Sequence, residues 1–323
     1  MTVLDEILNS PDIPIGTKLK VESLDKLGKE ALNAYYDENS DFYRHARTEA
    51  LIKKFYANPE EITYLYHYTS YETLKKIVSG QKFFLGSIHH MNDVQEMTYT
   101  LQLLEKEFMQ LDAPQTLLNE LKAMKNKLPW DVYIWCFSEN DHSQSLSNYG
   151  EIALGLKNQN VMNTLATRFS GGAETLDDFS PGNAYVFPLK VEYNLQTQTE
   201  YIKPIAKVWV SAYKNLCKDP EDMKSLILDC VQAVYLCSLC FKSRYLRQEE
   251  EIRYLVIKIN GNHDLNPDFY LNHKPFVSCE LKPAILDKVI LSKKIATKLD
   301  EIRDFLHDNK FDSTKIESTK LPY

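Results

Sequence analysis

The chain has 323 residues, 44% of them hydrophobic, which suffices for one elaborated domain or for two. Its formal charge of −7 excludes general nucleic-acid binding through bulk charge and leaves room only for a local basic groove. The six cysteines are scattered in mostly apolar surroundings, unlike a secreted disulfide framework, and the first residues lack a basic stretch followed by an apolar core. No run is long enough to span a bilayer, so the expectation is a chain with no membrane partner in a reducing cytoplasm.

Residues 1–60 show helical stripes: Val3, Leu4, Ile7 and Leu8; then Leu24, Leu27, Ala31, Leu32 and Tyr35; then Ala46, Ala50, Leu51 and Phe55. Pro11 and Pro14 separate the first from the second. This part reads as a helical N-terminal extension.

Tyr64 to Thr69 alternates and is aromatic-rich, as a short strand is. Thr69 or Ser70 can cap the helix whose face is Leu74, Ile77 and Val78, and Gly80 is expected to stop it. His67 then sits at a strand end before a helix N-terminus, a place that favours anionic ligands. Lys82–Ser87 is a further strand. Asn92 or Asp93 with Glu96 has capping-box spacing. His89 and His90, adjacent on an extended chain, would face opposite ways and make poor ligands for one ion; no metal is expected.

Residues 97–125 read as helix and Val132–Ser138 as a buried strand. Residues 139–145 are a polar loop or short helix, and Ile152–Leu156 is a strand. Residues 157–183 form a loop, with a helix around Val161–Phe169, and Tyr185–Glu192 is a strand. The stretch 199–243 is helical. It contains Cys237 and Cys240, expected to be buried thiols because no second pair accompanies them. Glu249 to Glu251 lead into a strand over 252–258. Short strands near 276–281 and 285–291 follow, then an amphipathic helix over 295–306 and a polar tail. Without a regular βαβ repeat, the class is α+β. The expected domains are the extension (1–60), an α+β domain (61–295, with the insert at about 199–243), and a C-terminal helix and tail (296–323).

Three polar clusters fall at ends of expected strands: His67 to Ser70, Ser138 with Ser147 and Tyr149, and Glu249 to Glu251. The matching pieces are Leu65-Tyr66-His67-Tyr68-Thr69-Ser70, Met91-Asn92-Asp93-x-x-Glu96, Cys136-Phe137-Ser138-Glu139, Ser147-Asn148-Tyr149-Gly150 and Glu249-x-Glu251-Ile252-Arg253. In this order they resemble a bacterial domain-of-unknown-function family related to the ADP-ribosyltransferase superfamily, over roughly residues 64–258.

The resemblance implies a split mixed sheet and NAD as substrate. Cleaving the nicotinamide–ribose bond gives an oxocarbenium-like transition state that needs a carboxylate beside the ribose. By resemblance, Glu251 is that carboxylate and Glu249, two residues away on the same face of an extended run, orients the acceptor. His67 holds the adenosine ribose, the Tyr68 backbone holds the nicotinamide amide, and Tyr149 stacks on nicotinamide. Thr69, Ser70, Ser138 and Ser147 line the pocket, and Arg253 holds a carboxylate or a phosphate. Many superfamily members have Gly where Tyr68 stands. The acceptor is a macromolecule, protein or nucleic acid, in a defence, toxin or effector role. The alternatives are an NAD glycohydrolase, a non-catalytic nucleotide- or partner-binding module on the same fold, and a cysteine hydrolase using Cys136 with His67 or His142.

Overall fold

A computed structural model describes residues 1–90, 96–124, 132–143, 146–170, 184–216, 220–258 and 267–319. The helices are α1 (Val3–Asn9), α2 (Ile15–Glu22), α3 (Lys26–Tyr36), α4 (Asp41–Ala46), α5 (Thr48–Phe55), α6 (Tyr71–Gly80), α7 (Glu96–Gln110), α8 (Gln115–Met124), α9 (Asn158–Phe169), α10 (Leu195–Leu216), α11 (Pro220–Cys240) and α12 (Leu299–Asp308). The strands are β1 (Tyr64–Thr69), β2 (Lys82–Ser87), β3 (Val132–Ser138), β4 (Ile152–Lys157), β5 (Ala184–Lys190), β6 (Glu251–Lys258), β7 (Phe269–Leu271), β8 (Lys274–Glu280), β9 (Leu286–Leu291) and β10 (Lys315–Ser318).

The chain forms two compact units, divided otherwise than the sequence suggests. Met1–Phe55, Asp93–Pro129 and Glu192–Arg244 make a helical unit; Tyr56–Asn92, Trp130–Val191 and Tyr245–Tyr323 make a sheet unit. The N-terminal extension and the helical insert therefore belong to one body, and the C-terminal segment belongs to the sheet.

In the helical unit, α10 packs on α3, α4, α7 and α11 through Ile202, Ile205 and Trp209, all buried. Asp229 on α11 accepts from Arg47 at 2.7 Å and from the Tyr35 hydroxyl at 2.7 Å, while the Arg47 guanidinium lies 4.2 Å from the Tyr35 ring centre. One ion pair thus fixes three helices with its charges half-covered. Cys237 and Cys240 are buried thiols one turn apart on α11. Burial pushes the Cys237 thiol up.

The sheet unit is α+β, with a mixed, mostly antiparallel sheet. Among the strands described, only β9 and β10 pair in parallel. β3 pairs along its full length with β6, which pairs on with β5. The other edge of β3 is shared. β2 takes it at Tyr133 and Ile134, and β1 takes it at Ser138. The sheet therefore forks into two wings, β2–β8–β7 and β1–β4–β9–β10. One face of this sheet carries the core: Leu65, Trp135, Phe137, Leu154, Tyr254 and Val289, with Leu74 of α6, Phe169 of α9 and Ile302 of α12.

Local chemistry explains most of these elements. Ser70 caps α6, its hydroxyl accepting from the Thr73 N–H at 3.2 Å. Gly80 does not stop α6 from outside; it is the last helical residue, and Gln81 takes the left-handed conformation at φ 47°. His89 and His90 lie in a 3₁₀ turn, not on a strand. Within the polar tail, Lys315–Ser318 forms β10.

Candidate functional site

On β1, Leu65, His67 and Thr69 face the core, and Tyr64, Tyr66 and Tyr68 face the other way. Because β1 and β2 meet β3 at different points, the edge of β3 between Ile134 and Ser138 lies in the fork. His67 reaches into it. Its Nδ1 lies 3.0 Å from the Cys136 carbonyl oxygen, which can only accept, so Nδ1 carries the proton. The ring stands edge-on to Trp135 and Phe137, 6.1 Å from each centre.

Burial holds the His67 imidazole below its usual value of 6.5, and the Cys136 hydrogen bond opposes that only in part. The unfolded chain then takes up a proton that the folded chain does not. Stability is complete above about pH 6.5 and falls as pH drops below it, by at most about 1.4 kcal/mol per pH unit for this group. Urea unfolding at pH 7.5 and 5.5 is expected to show a steeper loss for the native chain than for His67→Gln. Equal losses would contradict it.

The opposite face carries the acidic cluster. Tyr66 pairs with Ser138, Ser138 with Glu251, and Cys136 with Arg253. Glu251 and Arg253 are side by side on β6, at 5% and 0% exposure. Arg253 Nε lies 3.1 Å from Glu251 Oε1, and Nη2 donates to Oε2 at 3.1 Å. His67 and Glu251 thus point to opposite faces of the sheet.

Glu249 is not on an extended run with Glu251. It ends a 3₁₀ turn, Arg244–Glu249, and Glu250 then takes φ 43°. That turn is sewn to the loop after β3. Ser138 Oγ donates to the Glu249 carbonyl at 2.7 Å and accepts from Asn140 N–H at 3.0 Å, and Glu139 N–H donates to the Glu250 carbonyl at 3.0 Å. Tyr149, expected to stack on a ligand, is 61% exposed at the end of the 3₁₀ turn Leu146–Tyr149. Asn92, Asp93 and the Glu96 side chain lie outside the described residues.

Beside β1 lies a cleft of about 410 Å³. Its apolar wall is the Tyr68 ring with Ile152, Ala153, Ile290 and Ile295. Its polar rim includes Asp141, His142, Ser143 and Ser147 on one side and Glu151, Ser292, Lys294 and Thr319 on the other. Of the residues expected from sequence for the NAD site, Tyr68 and Ser147 line it, as does His142 of the hydrolase alternative; His67, Thr69, Ser70, Ser138, Tyr149, Glu249, Glu251 and Arg253 do not.

The rim is rigidly set. The Tyr68 hydroxyl donates to the Asn140 carbonyl at 2.7 Å and accepts from Ser143 N–H at 2.7 Å, so the phenol nails down the loop that carries Asp141 and His142. Burial, chiefly, pushes this phenol up to about 12. Asn140 Oδ1 accepts from His142 N–H at 2.8 Å, a side-chain turn of the kind asparagine favours. Glu151 Oε1 accepts from Tyr71 N–H at 3.4 Å, at the positive end of α6. The sequence marks residues 139–145 as a polar loop or short helix and singles out His142 in it only as a partner for Cys136. It has no signal that Ile290, Ser292 and Lys294 would close the other side.

Among the described residues, no group of three or more His, Cys, Asp or Glu could hold a metal ion, and no helix is long and apolar enough to cross a membrane. Comparison with models of protein families, with curated proteins and with solved structures finds no match.

Proposed function

We propose that the sheet unit is an NAD-dependent ADP-ribosyltransferase that modifies a macromolecular acceptor. The observation that carries this reading is the fork at β3, which supports a split-sheet core with His67 inside the split and Glu251 opening the adjacent strand β6. Glu251 supplies the carboxylate that stabilises the oxocarbenium-like transition state, held in position by Arg253. With water as acceptor the same step is NAD hydrolysis. Since Glu251 is 5% exposed, the reaction requires the Arg244–Glu249 turn to move off it when the dinucleotide enters.

That same burial favours a second reading, a non-catalytic module on the same fold that binds a nucleotide without turning it over. Incubating the full chain with NAD separates the two. Nicotinamide release, lowered about a hundredfold in Glu251→Gln and unchanged in Glu250→Gln at the exposed neighbour, supports the transferase. A melting scan of each variant shows that the fold survives. NAD binding without nicotinamide release supports the module. Absence of both removes NAD from the account.

A further inference from the structure

The cleft beside Tyr68 has a chemistry that the dinucleotide reading does not use. Two carboxylates, Asp141 and Glu151, stand at its rim against one lysine, Lys294, which is exposed. Among the described residues the ion pair of Asp141 is a long one: its Oδ1 is 4.0 Å from His142 Nδ1, and that nitrogen lies 2.7 Å from the carbonyl oxygen of Asp141 instead, while Lys288 on β9 is a second cation in its field. Glu151 receives only the long 3.4 Å bond from Tyr71 N–H among those described. At the wall, Ser292 Oγ is buried and finds no hydrogen-bond partner among the described residues. A buried hydroxyl without a partner costs about 1–3 kcal/mol.

The two carboxylates only accept hydrogen bonds, and the Ser292 hydroxyl can accept one as well. An anion would meet both carboxylates. A bare metal ion would lack ligands, since no three His, Cys, Asp or Glu side chains among the described residues are grouped to hold one. A group that only donates hydrogen bonds, carried on an apolar body, matches both halves of the cleft. An ammonium or amidinium is such a group.

We propose that this cleft binds a small organic cation: a primary amine or amidine on a short aliphatic or aromatic body. The charged end lies toward Asp141 and Ser292, and the body lies against Tyr68, Ala153 and Ile290. The site requires neither NAD nor Glu251, so it stands or falls apart from the transferase reading.

The test is calorimetric titration of the full chain, without NAD, using tyramine and agmatine as probes and 3-(4-hydroxyphenyl)propionate as an anion of tyramine's shape. At least one amine is expected to saturate, and the anion to bind at least about tenfold more weakly. Asp141→Asn is expected to weaken the amine about fivefold, and Lys294→Gln, which removes a like charge, to tighten it about twofold. The two shifts of opposite sign separate a charge effect from a folding defect. If neither amine saturates by about 10 mM, the proposal is wrong. It is equally wrong if the anion binds as well as tyramine, or if a folded Asp141→Asn binds the amine unchanged.

Discussion

Arg253→Leu is expected to destabilise the sheet unit by about 3–5 kcal/mol, the usual cost of removing one partner from a buried ion pair. Both charges are out of water, with Arg253 at 0% and Glu251 at 5% exposure. Their two contacts at 3.1 Å offset much of that desolvation. Take away the guanidinium and the carboxylate remains in place, on a central strand whose neighbours β3 and β5 prevent it from turning outward. The double variant Glu251→Leu/Arg253→Leu is expected to recover most of the loss, because well-packed apolar groups replace buried ion pairs at little cost. Urea unfolding of the three proteins checks this. A loss under about 1 kcal/mol in the single variant would show that water reaches the pair.

Gly150→Ala is expected to cost about 2–4 kcal/mol, a steric effect in a place that cannot give way. A Cβ at position 150 would sit 2.1 Å from both the carbonyl carbon and oxygen of Thr69, and 2.4 Å from Ser70 N. Neither neighbour is free to retreat. Thr69 pairs with Ile152 across β1 and β4, and Ser70 caps α6. The strain must therefore go into the turn Leu146–Tyr149 and the cleft rim at Ser147 and Glu151. Gly80→Ala is the matched control: nothing lies within 4 Å of its Cβ, it ends a helix, and it is expected to be neutral or stabilising by up to about 1 kcal/mol. Thermal melts of the two variants measure the contrast. Similar melting temperatures would refute it.

Local signals in the sequence were accurate where local physics decides. The alternation of Tyr64–Thr69, the Ser70 cap and the continuous apolar run of β3 each lead to the element found. The helical reading of residues 1–60 and 199–243 also holds, but their union in one body rests on contacts between segments far apart in the chain. The fork is illegible for the same reason, since a strand's sequence does not say that two partners divide one edge.

Other differences have nearby causes. Glu249 to Glu251 looks extended, yet Glu250 turns left-handed where Glu139 N–H holds its carbonyl. β10 reads as tail because Lys-Ile-Glu-Ser is polar; an edge strand bonded on one side needs little apolar surface. Tyr68 reaches the cleft and its neighbours His67 and Thr69 do not, because β1 sends alternate side chains to opposite faces.

Two wings on a single shared strand leave the sheet with a seam. A wedge driven between β1 and β2 need break no rung of either ladder away from Ser138, Ile134 and Tyr133, since each wing keeps its own strands together. Within the seam the imidazole of His67 serves as a latch, closed by one bond to the Cys136 carbonyl and worth about 0.5–1.5 kcal/mol. Protonating the ring leaves that bond in place but puts a positive charge among Trp135 and Phe137, and burial of that charge is the cost that holds the imidazole neutral in the seam.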